Sequence, residues 1–172
     1  VRVEQCPRQW LGKNPAARFV AQLFPNFHTK VTYGAQDGGD KIMTSDASII
    51  VPFFNEEDNV DPVLAELRGA VPGAEIIAVN DGSTDGTDAI VARYLGENPW
   101  IELVRLPKRR ERHFAGKVHC FNAGYEKVQD VLSDVIGNLD ADITFERDYF
   151  EFLMQKFADD PRLGVAGTPY VE

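Results

Sequence analysis

The run Ser48-Ile49-Ile50-Val51-Pro52-Phe53-Phe54 constrains this chain more than any other stretch. A strand with one face in water alternates apolar and polar residues, because successive side chains point to opposite faces. Here the run is apolar, β-branched and aromatic almost throughout, as a strand covered on both faces of a parallel sheet should be. Such a strand needs helices above and below it, and the following residues supply the first. Asn55-Glu56-Glu57-Asp58 leads into Val60, Val63, Leu64 and Leu67, the spacing of an amphipathic helix. The acidic residues at its start suit the positive end of the helix dipole.

The unit then repeats. Val71-Pro72-Gly73 marks a turn, and Glu75-Ile76-Ile77-Ala78-Val79 reads as a second buried strand that ends on Asn80-Asp81-Gly82-Ser83-Thr84-Asp85-Gly86. A helix over residues 87–95 turns Ile90, Val91, Tyr94 and Leu95 inward. A third strand spans residues 101–106, and a third helix opens at Gly116-Lys117 with Phe121, Tyr125 and Val128 on one face. Val135-Ile136-Gly137-Asn138-Leu139 is a fourth strand that runs into Asp140-Ala141-Asp142. A helix over residues 147–158 and a strand over residues 162–168 complete the series. Strands alternating with helices imply an α/β fold: a mostly parallel sheet with right-handed crossovers and helices on both faces.

Residues 1–45 stand apart. Pro7, Pro15 and Pro25 interrupt them, residues 34–40 have the composition of a loop, and no period emerges. They are expected to form a leader or linker, either disordered, non-native, or packed as an arm through Trp10, Phe19, Phe24 and Phe27. Met43-Thr44-Ser45-Asp46 resembles a start, and residues 46–172 form the expected domain, truncated at its carboxyl end.

Charge and composition exclude several functions. The formal net charge of −9 argues against a general affinity for nucleic acid or an anionic membrane. No stretch approaches the roughly 18 consecutive apolar residues of a transmembrane segment, and the start has no secretory apolar region. Cys6 and Cys120 provide no disulfide framework, consistent with a reducing compartment.

In open α/β sheets, ligands bind beyond the carboxyl ends of the strands, where this chain concentrates its polar residues. Asn55 and Glu57 follow the first strand, Asp81 follows the second, and Asp140 and Asp142 follow the fourth. If the strand stays extended to Asp142, both carboxylates point to one spot. Two carboxylates held that close favour a cation between them. Mg²⁺ and Mn²⁺ take oxygen ligands and are typically bound by one or two carboxylates plus phosphates and water. Lys117 and the basic loop carrying Lys108, Arg109, Arg110 and Arg112 could neutralise a diphosphate. Asp81 and Glu57 could then accept hydrogen bonds from a ribose or base.

Other motifs are weaker. Asp81-Gly82-Ser83-Thr84-Asp85-Gly86 resembles the start of an EF-hand loop, but Ala92 stands where a bidentate Glu is needed. His113, His119 and Cys120 lack a second pair at zinc spacing. Neither a Walker loop nor Gly-x-Gly-x-x-Gly occurs. Asp140-Ala141-Asp142-Ile143-Thr144 also matches the start of haloacid-dehalogenase-like phosphatases, in which Asp140 would be the nucleophile. In those enzymes, however, the motif ends the first strand.

Taken in order, residues 48–57, 79–85, Gly116-Lys117 through Phe121-Asn122-Ala123-Gly124, and Leu139-Asp140-Ala141-Asp142 resemble the nucleotide-sugar-binding part of a family 2 glycosyltransferase of the GT-A fold. The resemblance covers residues 47–172 and implies a Rossmann-like domain. It implies inverting transfer from a nucleoside-diphosphate sugar, a UDP-sugar first among them, with Mg²⁺ or Mn²⁺. By the same resemblance Pro52, Asn55 and Glu57 border the nucleoside, Asp81 contacts base or ribose, and Lys117 lies near the nucleotide. Asp140 faces the ribose or donor sugar and is a second candidate metal ligand. Asp142 holds the metal.

Polyprenyl-phosphate sugar transferases of this family usually carry a Leu-Gln-Asp-Pro-Pro-like run after the Asp-x-Asp motif. Ile143-Thr144-Phe145-Glu146-Arg147-Asp148 stands here instead, which favours a saccharide or cell-surface polymer as acceptor; the expected partner is a saccharide or lipid-linked acceptor. The family's general base is expected beyond Glu172. The implied location is cytoplasmic, including the inner face of the membrane. A non-catalytic nucleotide-binding module is the alternative.

Overall fold

A computed structural model describes residues 18–21, 47–96, 98–108, 116–129, 133–160 and 162–168. The elements in chain order are β1 (Arg18–Ala21), β2 (Ala47–Phe53), α1 (Val60–Ala70), β3 (Glu75–Asn80), α2 (Thr87–Leu95), β4 (Ile101–Arg105), α3 (Gly116–Val128), β5 (Val135–Asn138), α4 (Tyr149–Asp159) and β6 (Val165–Ala166). The strands form one sheet in the order β4-β3-β2-β5-β1-β6, and every described pairing is parallel.

The apolar runs divide between the two faces as the pleat requires. Ile49, Val51, Phe53, Ile76 and Ala78 pack with α1, α2 and α4 in the larger core. Ile50, Ile77, Val79 and Ile136 point the other way and pack against Cys120 and Val128 of α3. Strands sandwiched in this way have no solvent face, which explains why their sequences do not alternate. Each fully buried Leu, Ile, Val or Phe contributes about 1.5–3 kcal/mol of transfer free energy. The α3 helix lies close to the sheet because of a glycine: a Cβ at Gly124 would stand 2.6 Å from Ile50 Cγ2.

Two differences from the sequence expectation concern the carboxyl-terminal side of the sheet. Arg18–Ala21, within the stretch expected as a leader, forms β1 between β5 and β6. A four-residue strand spans too few alternations to give a readable period, and its neighbourhood is rich in proline. The rest of residues 1–46 lies outside the described residues. The last strand, expected over residues 162–168, is confined to Val165–Ala166.

The strand order reverses between β2 and β5. From β2 the chain steps outward through β3 to β4, whereas β5 joins the opposite side of β2. A crevice outside the carboxyl ends is expected at such a switch point.

Candidate functional site

A shallow cleft, open to solvent, occupies that position. It is lined by Pro52, Phe53, Phe54, Glu56, Asp81, Lys117, Cys120, Asp140, Ala141 and Asp142. Pro52 helps open it. The carbonyl of Ile50 faces β5 and accepts the Leu139 N–H at 3.0 Å. Two residues on, Pro52 faces the same way and has no N–H to donate. The β2–β5 ladder ends at the Ile50–Asn138 pair, so the strands can diverge and leave space between Pro52 and Asp140. A proline in a central strand is tolerated here because it ends a ladder.

Asp81 enters from the end of β3. Its side chain is largely buried, at 8% exposure, and its N–H donates to the Phe53 carbonyl at 2.8 Å. Gly82 follows with φ 74°, a left-handed turn that glycine adopts without a Cβ clash. On the opposite wall, Lys117 in the first turn of α3 donates from Nζ to Asp140 Oδ2 at 2.7 Å. The two side chains are 45% and 25% exposed, so solvent weakens the pair. Cys120, one turn along α3, is buried at the cleft floor.

The expectation that an extended strand carries both carboxylates to the site does not hold. The β5 strand stops at Asn138, and Ala141 and Asp142 form a turn. Asp140 and Asp142 still line the same cleft, and Asp142 is exposed. Among the described residues, no three His, Cys, Asp or Glu side chains are grouped to hold a metal ion. Asp140 and Asp142 are the oxygen donors that the cleft offers, and hard cations take one or two such carboxylates with further oxygens from a ligand and water.

Asn55 and Glu57 adjoin the cleft in the chain, but they are not among its lining residues. Asn55 has φ 56°, a left-handed conformation that Asn tolerates better than most residues. Its Oδ1 accepts the Thr84 N–H at 2.8 Å, and its own N–H donates to Ser83 Oγ at 3.0 Å. Glu57 Oε2 accepts the Gly86 N–H at 2.7 Å, and the Glu57 N–H donates to Asp85 Oδ2 at 3.3 Å. Between them, the Glu56 N–H donates to Thr87 Oγ1 at 2.9 Å. The β2–α1 loop is thus tied to the β3–α2 loop at successive residues.

Charge supports the same corner. Burial raises the Asp85 pKa, but hydrogen bonds from the Thr87 hydroxyl and from the Thr87 and Glu57 N–H groups outweigh it and hold the carboxyl below its ordinary value. Asp88 is also lowered, chiefly by its hydrogen bond from Arg105; burial opposes this and Asn80 adds to it. Asn80 links the set, donating to Asp88 Oδ1 at 2.9 Å and accepting the Ser83 N–H at 2.9 Å.

Of the site residues read from the sequence, Pro52, Asp81, Lys117, Asp140 and Asp142 meet in one cleft. Sequence reasoning did not single out Phe53, Phe54, Glu56, Cys120 or Ala141 as lining residues. Nothing in the sequence distinguished Glu56 from Glu57, because the turn at Asn55 decides which one faces the cleft. In the basic loop, residues 109–115 lie outside the described residues, including Arg109, Arg110, Arg112 and His113. His119 is exposed on α3.

Comparison with known proteins points the same way. The family model for glycosyl transferase family 2 matches residues 48–172. The chain is 29% identical over 126 residues to the poly-beta-1,6-N-acetyl-D-glucosamine synthase of Staphylococcus aureus (strain MSSA476), covering 72% of this chain and 28% of that protein. It is 28% identical over 119 residues to the succinoglycan biosynthesis protein ExoA of Rhizobium meliloti (strain 1021), covering 67% of this chain and 34% of that protein. The chain thus spans about a third or less of the curated relatives it matches.

Among solved structures, the mannosyltransferase PcManGT from Pyrobaculum calidifontis, in complex with GDP-Man and Mn²⁺, superposes with a TM-score of 0.54 at 25% identity, over 67% of this chain and 32% of that one. S. aureus TarS 1–349 in complex with UDP superposes at 0.53 with 18% identity, over 66% and 32%. The second likeness speaks to the fold alone. Because the family match includes Asp140 and Asp142, the phosphatase reading of that motif has no support.

Proposed function

The chain belongs to glycosyltransferase family 2, and from that premise we propose that its cleft binds the nucleoside diphosphate of a sugar donor. The transfer is inverting, and the acceptor is a saccharide or cell-surface polymer, free or lipid-linked. Residues 46–172 are the donor-binding part, and the donor is a UDP-sugar. One observation carries the reading: Asp81, Lys117, Asp140 and Asp142, from three separate segments, line a single cleft at the switch point of the sheet.

Each residue has a role suited to its place. Asp81, buried at the β3 end, accepts hydrogen bonds from the base or ribose, while Pro52 borders the nucleoside. Asp142, exposed on the turn after β5, offers its carboxylate to Mg²⁺ or Mn²⁺, with Asp140 as a second oxygen donor or as the ribose and sugar contact. When bound, the cation stabilises the negative charge that develops on the leaving diphosphate. Lys117, paired with Asp140 before a ligand arrives, can give up that carboxylate for a phosphate oxygen. Such an exchange replaces one charge-assisted contact with another and keeps both groups partnered.

No helix among the described residues is long and apolar enough to cross a membrane. The location we propose for the cleft is cytoplasmic, including the inner face of the membrane. Isothermal titration with UDP tests the reading. UDP is expected to bind with Mn²⁺ or Mg²⁺ present and to lose most of its affinity in excess EDTA. Equal affinity in EDTA would overturn the metal-dependent donor site, and a preference for GDP would overturn the choice of base.

A further inference from the structure

We infer that Asn55 and Glu57 are positioning residues for Asp81: they fasten the β3–α2 loop that presents Asp81 to the cleft, and they do not touch the nucleotide themselves. The inference rests on the reading of Asp81 as a nucleotide contact. Sequence position alone would place Asn55 and Glu57 in the site, because they follow β2 as Asp81 follows β3. The geometry turns them away from the cleft and toward the neighbouring loop.

The Glu57 contact accounts for a group that would otherwise be left over. The first N–H groups of a helix have no partner within it. Gly86 is the N-cap of α2 and has no side chain to help satisfy them. Its own N–H donates to Glu57 Oε2 at 2.7 Å, and a carboxylate at this end also suits the helix dipole. Glycine makes room for the close approach: a Cβ at Gly86 would stand 2.7 Å from that same oxygen, and the carboxylate would have to shift. Asn55 anchors the other half of the loop. With φ 56° its backbone turns so that Oδ1 accepts the Thr84 N–H at 2.8 Å.

Between these anchors and the β3 ladder sit only Asp81, the left-handed Gly82, and Ser83. Ser83 is held by Asn80 Oδ1 and by the Asn55 N–H. A loop fixed at Ser83, Thr84 and Gly86 leaves Asp81 little freedom to turn out of the cleft. Release of the Gly86 anchor frees the segment that precedes it, from Asp81 to Asp85. The cost falls on nucleotide binding through Asp81, which remains in the chain but loses its fixed orientation.

The test combines nucleotide binding with amide hydrogen exchange in the full chain. UDP with Mn²⁺ is titrated into the wild type, Glu57→Ala, Glu57→Gln, Gly86→Ala, Asp81→Ala and the Glu57→Ala/Asp81→Ala double variant. Glu57→Ala should weaken binding by about fivefold, within the range that one hydrogen bond carries. Gly86→Ala should do the same by pushing the carboxylate away. Glu57→Gln should bind like the wild type, because its carboxamide oxygen still accepts the Gly86 N–H. In the Asp81→Ala background, Glu57→Ala should cause no further loss.

Additive losses, or a Glu57→Gln variant as weak as Glu57→Ala, would show direct contact with the ligand and overturn the proposal. Exchange at the Gly86 amide should be slow in the wild type and Glu57→Gln and fast in Glu57→Ala. Fast exchange in the wild type would overturn the brace itself. Failure of the wild type to bind UDP with Mn²⁺ would instead overturn the donor-site reading while leaving the amide result to report the brace, so the two failures are distinguishable.

Discussion

The two walls of the cleft are built differently. On one side, the loops after β2 and β3 are tied together through Asn55, Glu56 and Glu57, and Asp81 is almost buried. On the other, Asp140 meets Lys117 in a half-exposed ion pair, and Asp142 stands exposed on a turn. The first wall satisfies its polar groups within the protein and can hold one shape before any ligand arrives. The second presents charge that water currently screens and that a ligand can recruit. Preorganised polar groups recognise shape at little ordering cost. Exposed carboxylates give a cation its ligands without the large penalty of burying unpaired charge. A site for a neutral nucleoside joined to a charged diphosphate calls for both kinds of wall.

The contrast breaks first at Asp142. Asp142→Ala should remove most of the metal-dependent part of UDP affinity, a loss of about tenfold or more, equivalent to ~1.4 kcal/mol. Because the side chain is exposed, the melting temperature should stay near that of the wild type. Calorimetry of binding beside a thermal melt checks both halves. A large drop in stability would mean that the carboxylate holds the fold and not a ligand.

A smaller effect is expected at Lys117. Replacement by Gln removes a cation that pairs with Asp140, so free Mn²⁺ should bind about two- to fivefold more tightly, in line with the weak energy of an exposed ion pair. UDP with Mn²⁺ should bind less tightly, because Lys117 no longer reaches a phosphate oxygen. Electron paramagnetic resonance counts free Mn²⁺ directly. Unchanged Mn²⁺ affinity would show that Lys117 does not compete for Asp140.

The smallest effect concerns the braced wall and pH. Arg105 holds the Asp88 carboxyl below its ordinary value when the chain is folded, and unfolding restores that value. A lowered pKa adds stability that is fully present above the ordinary Asp value of about 3.9 and is lost as pH falls through the lowered one. Because the Asp88 side chain is 41% exposed, the gain is at most about 1 kcal/mol. Asp88→Asn should therefore lower stability by up to about 1 kcal/mol at neutral pH, converge with the wild type in strong acid, and so flatten the acid limb of the stability curve. Chemical denaturation across the acid range reads it. An unaltered acid limb would remove the Asp88–Arg105 pair from the account of this wall.

Much of the architecture was readable without coordinates. Ile49 through Phe53 and Ile76 through Val79 are apolar at nearly every position, which requires helices on both faces and hence a parallel α/β sheet. Asp81, Asp140 and Asp142 follow their strands in the chain, so one rule about α/β sheets placed them on a common edge. Less could be read where few residues carry the information. Arg18–Ala21 is too short to show a period, and its place between β5 and β6 depends on pairing with residues more than a hundred positions away. The direction of Glu57 was likewise hidden, because it depends on a single backbone angle at Asn55.

The sequence by itself determined which residues are apolar on both sides and which polar residues stop the strands, because periodicity and burial are local properties of a strand or helix. Only the tertiary structure decided that Pro52 and the end of the β2–β5 ladder open a cleft. It also decided that Lys117 meets Asp140, and that Glu57 turns to Gly86 while Glu56 lines the cleft. These depend on distances between segments remote in the chain, which no local pattern encodes.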